Sequence, residues 1–99
     1  MKILGIDPGT GILGFGVVEV SAKGGLRMVT AGVITTPAHT PLEERLVEIY
    51  DGLTEIIAET KPDVMSIEKL FFAQNITTAI SVSHARGVAM LTKSRGRRW

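Results

Sequence analysis

The chain opens on a short apolar run that ends abruptly in an acid. Residues 3–11 have the sequence ILGIDPGTG, so an apolar stretch meets Asp7 and is followed at once by Pro8 and a glycine-rich segment. An apolar run bounded by Pro and Gly predicts a buried strand. Pro8 restricts Asp7 to extended geometry, which indicates a carboxylate at the point where the strand leaves the core. The alternative is an aspartate that merely begins a turn.

Two further strands are predicted directly after the first. Residues 14–21 alternate apolar with small or polar side chains, and residues 26–35 form another strand-like run beyond the turn at residues 23–25. Short glycine-rich links favour antiparallel hairpins. We therefore expect strands over residues 2–7, 14–21 and 26–35 to form a three-stranded antiparallel meander.

The second half of the chain predicts helices and one more strand. Thr40, Pro41 and Glu43 have the spacing of a capping box with Pro at the first helical position. Apolar residues then recur at spacings of three and four until Pro62. A strand is predicted over residues 63–69, parallel to the strand it joins because a helix provides the crossover. A second helix is predicted after Asn75, and it carries a stripe of small residues at Ala79, Ser83 and Gly87.

A second acid repeats the position of the first. Glu68 follows an apolar run at the carboxyl end of the fourth predicted strand. If that strand lies beside and parallel to the first, Glu68 and Asp7 emerge at one edge, where α/β sheets bind their ligands. Two neighbouring carboxylates repel each other unless a cation lies between them, and Mg²⁺ takes carboxylate, water and phosphate oxygens. The pair predicts metal-assisted phosphoryl chemistry.

Composition excludes several classes of protein. Ninety-nine residues, 44% of them hydrophobic, suffice for one domain with a modest core. The chain has no cysteine, which excludes disulfides and thiolate metal sites. No apolar run is long enough for a membrane span, and the N-terminus lacks the pattern of a signal peptide. We expect a cytoplasmic protein with no membrane partner.

The basic residues are concentrated at the C-terminus. Four of the eleven lie in residues 93–98, whereas residues 1–92 contain seven basic against ten acidic residues. Residues 92–99 also lack apolar periodicity, which predicts that the second helix is interrupted near residue 92. We interpret residues 93–99 as an aberrant basic tail that follows a truncation or a change of reading frame.

Three motifs in register resemble the RuvC-type Holliday junction resolvases: GIDPGTGILGFGVV, SIEKLFFAQN and SVSHARGVAML. The resemblance covers residues 1 to about 91 and implies a ribonuclease-H-like fold. It also implies a Mg²⁺-dependent homodimeric endonuclease that nicks four-way DNA junctions symmetrically in recombination and repair, with Mn²⁺ able to substitute. The family works alongside a RuvA–RuvB branch-migration motor. Asp7 and Glu68 match its first two metal-binding acids, and Phe71 matches the aromatic residue inserted into the junction.

The chain departs from this family at its C-terminal side. Two further family acids and a fifth strand have no counterpart in the sequence. Residues 1–92 are therefore expected to form an incomplete nuclease domain, inactive alone, whereas the complete enzyme is expected to hold two metal ions in each active site.

Other residues near the two acids have candidate roles in DNA binding. Phe72 can stack on a base or plug the core, Lys69 can contact a phosphate or solvent, and Thr10 can bind a phosphate or its own turn. His84 has no second His or Cys nearby for metal binding and fits a packing or interface role, as does Arg86, whereas His39 is interpreted as a loop residue without a role. Three competing interpretations stay open: a related nuclease acting on pre-ribosomal RNA, a fragment of an actin-like ATPase or sugar kinase, and a truncated remnant that is not an enzyme.

Overall fold

The computed structural model describes residues 1–9, 11–37, 39–67 and 76–96. Within these residues the chain forms four strands and two helices. In chain order they are β1 (Lys2–Asp7), β2 (Ile12–Val20), β3 (Leu26–Thr35), α1 (Leu42–Thr60), β4 (Val64–Ile67) and α2 (Ile76–Gly96).

The strands form one mixed sheet in the order β3-β2-β1-β4. β1 pairs antiparallel with β2, and β2 pairs antiparallel with β3. β4 pairs parallel with β1 after the chain has passed through α1. This confirms the predicted meander with a parallel strand and a crossover helix. β2 begins at Ile12, two residues before the predicted start, because Ile12 already pairs with Thr35 of β3.

The core lies on one face of the sheet, under both helices. Side chains alternate along a strand, so Leu4 and Ile6 of β1 point to the same face. They join a single buried cluster to which every element except β3 contributes. Ile34 of β3 is partly buried and packs against this cluster. The buried residues are Leu4, Ile6, Leu13, Val17, Ile49, Leu53, Ile57, Met65, Ala85 and Ala89. The apolar stripe predicted for α1 is therefore the side that covers the sheet.

The predicted capping box at the start of α1 is wrong. Pro41 occupies the N-cap position, and no side chain bonds to the free backbone N–H groups there. The Thr40 hydroxyl instead donates to the Pro37 carbonyl at 2.5 Å, so it stabilises the preceding turn. At the other end, Lys61 adopts a left-handed φ of 50° and its N–H donates to Ile57. Pro62 then follows the end of the helix as predicted.

Helix α2 differs from the prediction at its C-terminal end. It continues to Gly96, so the predicted interruption near residue 92 is wrong. Thr92 is buried on this helix, and its hydroxyl donates to the Ala89 carbonyl at 2.6 Å and so needs no water. The interpretation of residues 93–99 as an aberrant basic tail stays a prediction. The predicted N-cap, Asn75, lies outside the described residues, and neither described helix has the length and apolar character needed to cross a membrane.

Candidate metal centre at the end of the first strand

Asp7 lies at the carboxyl end of β1, on the face of the sheet opposite the core. Ile6 is buried in the core, and the alternation of the strand turns the next side chain to the other face. Asp7 pairs with Gly14 of β2, and its side chain is exposed. The predicted position, where a buried strand meets solvent, is confirmed. The backbone of Asp7 belongs to the sheet, so the carboxylate is presented by a rigid element.

The turn after Asp7 is too tight for any side chain at Gly9. A methyl group on Gly9 would lie 2.3 Å from the Ile12 carbonyl oxygen, closer than carbon atoms approach such oxygens. Gly11 has open space around it, and its carbonyl accepts a hydrogen bond from Thr36 N at 3.0 Å. The structure shows that the turn itself requires this glycine.

β4 brings a second chain segment to the same edge of the sheet. Its residues pair in parallel with β1 as far as Ile6 with Ile67. In the sequence, each member of this pair is followed directly by an acid, Asp7 and Glu68. Glu68 lies outside the described residues. The structure therefore confirms the parallel pairing on which the two-acid site depends, whereas the meeting of the two carboxylates stays a prediction.

The Asp7 carboxylate has no hydrogen bond or ion pair within the described part of the chain. The acids at the opposite end of the sheet differ. Asp63 accepts a hydrogen bond from Lys2 N at 2.8 Å, and Glu19 accepts one from Arg27 at the same distance. The Arg27 hydrogen bond and charge lower the pKa of Glu19. With respect to the described residues, Asp7 thus keeps its oxygens available, and a carboxylate is a ligand that divalent cations take.

The structure describes some of the other residues considered from the sequence and leaves others outside. Thr10, Lys69, Phe71 and Phe72 lie outside the described residues, so their roles stay predictions. His39 and His84 are described and are both exposed. Across residues 1–9, 11–37, 39–67 and 76–96, no group of three or more His, Asp or Glu side chains is placed to hold a metal ion.

Sheet order and the exposed acid at the end of β1 define an α/β protein of the ribonuclease-H-like class. A family model described as Crossover junction endodeoxyribonuclease RuvC matches residues 3–97. The chain belongs to this family.

Similar proteins with the same description support this assignment. The protein of Thermomicrobium roseum is 50% identical over 91 residues, which cover 92% of this chain and 55% of the relative. The solved structure of Thermus thermophilus RuvC in complex with a Holliday junction substrate superposes with a TM-score of 0.89 at 28% identity. The match covers 97% of this chain and 61% of the Thermus chain. This chain therefore spans little more than half the length of the relatives it matches.

A more distant structure shares the fold alone. An Aquifex aeolicus Ppx/GppA phosphatase superposes with a TM-score of 0.54 at 16% identity, and the match covers 31% of that chain.

Proposed function

We propose that this chain forms the N-terminal part of a metal-dependent endonuclease that resolves Holliday junctions in recombination and repair. The observation that carries the proposal is the parallel pairing of β1 with β4, because in the sequence each residue of the pair Ile6 and Ile67 is followed directly by an acid. Membership of the RuvC family favours junction cleavage over a role in pre-ribosomal RNA or an actin-like ATPase. The T. thermophilus relative was solved with a Holliday junction substrate.

In this proposal Asp7 and Glu68 hold Mg²⁺, for which Mn²⁺ can substitute. Neighbouring strands lie about 4.8 Å apart, so acids that follow paired residues are within reach of one ion. The exposed Asp7 carboxylate, which has no hydrogen bond in the described part of the chain, suits this role. Bound divalent ions would stabilise the charge that develops on the cleaved phosphate, and two are expected in the complete enzyme. The rigid β1 and its turn hold Asp7 in place before the substrate arrives.

Residues near the acids are proposed to contact the junction. Glu68 leads directly into Lys69, Phe71 and Phe72 in the sequence, so these residues follow the strand that supplies the second acid. An aromatic side chain can stack on an unpaired base, and a lysine can contact a phosphate. Thr10 follows Asp7 by three residues in the sequence and is proposed to bind a phosphate.

A homodimer is proposed for the complete enzyme, because a junction of two-fold symmetry requires two active sites related by two-fold symmetry. Gly87 fits a helix interface, since it is exposed on α2 and a methyl group there would meet no atom within 4 Å. Ile80 and Leu91 are large apolar residues exposed on the same helix. The cytoplasm, where junction DNA is found, is the proposed location, with the RuvA–RuvB complex as partner.

Paramagnetic broadening tests the metal site directly. When Mn²⁺ is added to the 99-residue chain, NMR signals of Asp7, Gly9 and Glu68 should broaden first. Asp7→Asn should remove this effect, whereas Asp51→Asn, which changes an exposed acid on α1, should preserve it. Broadening spread evenly along the acidic side of α1 would contradict the proposed site.

Cleavage tests the activity separately from metal binding. The 99-residue chain should cut four-way junctions negligibly in Mg²⁺, because two carboxylates leave a second ion without ligands. In a longer family member, replacing the acids that match Asp7 and Glu68 by Asn and Gln should abolish cleavage and leave junction binding largely intact. Efficient Mg²⁺-dependent nicking by the 99-residue chain would contradict this assignment of roles.

A further inference from the structure

The first residue of β1 and the residue before β4 are joined by a reciprocal pair of hydrogen bonds. Lys2 N–H donates to the Asp63 carboxylate at 2.8 Å, and Asp63 N–H donates to the Lys2 carbonyl at 2.8 Å. The Lys2 ammonium also donates to the carbonyl of Thr60, the last residue of α1, at 3.1 Å. That helix has no basic residue in its last turn, so the ammonium lies where the helix dipole favours a positive charge. We call Lys2, Thr60 and Asp63 the Lys2–Asp63 clamp.

β4 is too short for its burial pattern alone to fix how it pairs with β1. It has four residues, of which Met65 is buried and Ile67 is partly buried against the core. A slip of one residue would turn both side chains away from the core, so burial excludes it. A slip of two residues keeps the alternation of side chains, so the alternation does not exclude it. The clamp opposes such a slip, which would move Asp63 about 7 Å along β1 and break both of its hydrogen bonds with Lys2.

The clamp residues stand at equal sequence distances from the two proposed metal ligands. Asp7 follows Lys2 by five residues, and Glu68 follows Asp63 by five residues. The pairing of β1 with β4 runs without a shift over all four residue pairs that join them. Mg²⁺ binds oxygens at about 2.1 Å, so two ligand oxygens on one ion lie at most about 4 Å apart. A slip of about 7 Å exceeds that span and would prevent the two acids from sharing an ion.

We propose that Asp63 is a positioning residue for the metal site, which it supports from the opposite end of the sheet by fixing the register of β4 against β1. Five residues of extended chain span about 16 Å, so the Asp63 carboxylate contacts neither a metal ion nor a substrate bound beside Asp7. Its effect is transmitted by the paired backbones of the two strands. The inference rests on the proposed function, since the register affects metal binding only where Asp7 and Glu68 share an ion.

Three variants of the 99-residue chain separate the side-chain hydrogen bond from the charge. Asp63→Ala removes the carboxylate, whereas Asp63→Asn removes the charge and keeps an oxygen that accepts from Lys2 N–H. Ser21→Ala is the matched control, because Ser21 Oγ accepts from Gly25 N–H at 2.9 Å. That hydrogen bond is also exposed and also joins a backbone N–H to a side-chain oxygen, but it lies in the turn between β2 and β3. Circular dichroism verifies that each variant is folded.

Amide hydrogen exchange and NOE contacts between β1 and β4 report the register without metal. Asp63→Ala should weaken these contacts and speed exchange of the β4 amides about fivefold, the effect of one hydrogen bond on an opening equilibrium. Ser21→Ala should change exchange only in residues 21–25. In a Mn²⁺ titration, the concentration that half-broadens the Asp7 signal should rise roughly threefold or more in Asp63→Ala, because only molecules in the observed register offer both acids to one ion. Asp63→Asn and Ser21→Ala should behave as the unsubstituted chain does.

The proposal is overturned if Asp63→Ala keeps the strand contacts and the β4 exchange rates of the Ser21→Ala control. It is also overturned if Asp63→Asn loses metal affinity as Asp63→Ala does, because the charge rather than the register would then be responsible. An equal loss of affinity in Ser21→Ala overturns it as well, since general destabilisation would explain the effect. Failure of the metal site itself is distinguishable, because Mn²⁺ would then leave the Asp7 signal of the unsubstituted chain unchanged. The exchange and NOE measurements would in that case still decide whether Asp63 fixes the register.

Discussion

Gly9→Ala tests whether the turn beside Asp7 is fixed by sterics. The new methyl group would lie 2.3 Å from the Ile12 carbonyl oxygen and 3.3 Å from its carbon. Carbon–oxygen contacts normally stand at about 3.3–3.6 Å, so the group is roughly 1 Å too close. Both obstructing atoms belong to the backbone and cannot move away by a rotamer change. The strands on either side would have to shift, and overpacking of this kind costs about 1–3 kcal/mol.

Gly11→Ala is the matched control in the same turn, because a methyl group there meets no atom within 4 Å. Among the described residues, Gly24 is the only glycine with a positive φ. Alanine can therefore adopt the backbone conformation of both Gly9 and Gly11. Each replacement also restricts the unfolded chain, which stabilises the protein by about 0.4–1 kcal/mol. This contribution is common to both variants and cancels in their difference.

Urea unfolding followed by far-UV circular dichroism measures that difference. Gly9→Ala should be less stable than Gly11→Ala by about 1–3 kcal/mol, which is roughly a 5- to 150-fold change in the unfolding equilibrium constant. Equal stability of the two variants, or greater stability of Gly9→Ala, would refute the steric argument. The turn would then owe its shape to something other than the contact between Gly9 and Ile12.

Three further predictions concern the core, the surface and the interface. Leu53→Ala should lower the free energy of unfolding by about 2–5 kcal/mol in the same urea assay, because Leu53 is fully buried between α1 and the sheet. The control Val47→Ala should change this free energy little, because Val47 is exposed on α1. Arg27→Gln should raise the pKa of Glu19 in an NMR titration, because Arg27 holds that pKa below the ordinary glutamate value of 4.5. Since the folded-state pKa is lowered, the small stabilisation by this pair is present above pH 4.5 and is lost as the pH falls through the lowered pKa; an unchanged titration would contradict the pairing. In a longer family member, leucine at the position of Gly87 should convert dimer to monomer in sedimentation, and a persistent dimer would place the interface elsewhere.

Local patterns in the sequence determined most of the elements and the position of Asp7. β1 and β3 have the predicted bounds, and α1 ends before Pro62 as expected. These features depend on periodicity and on the backbone limits of Pro and Gly, which act within a few residues. The same short range explains why Asp7 could be placed at the end of a buried strand. The motifs around Asp7 and Glu68 also suffice to identify the RuvC family.

Hydrogen bonds and packing contacts that periodicity does not encode decided the remaining features. The hydroxyl of Thr40 has a capping pattern in the sequence, yet it donates to Pro37 because the turn before α1 places that carbonyl within reach. Small residues occur on several sides of α2, and only packing against α1 and the sheet selected Ala85 and Ala89 for burial. Thr92 is buried at the predicted interruption, and the helix continues beyond it to Gly96.

The sequence indicated two acids at strand ends, and tertiary structure decided which strands are neighbours. The register that pairs Ile6 with Ile67 joins segments about sixty residues apart, and it depends on burial of one sheet face under both helices. The need for glycine at position 9 likewise follows from how closely Ile12 returns over the turn. Pairing and close approach depend on three-dimensional contacts, whereas periodicity along the chain carries only the local preference of each segment.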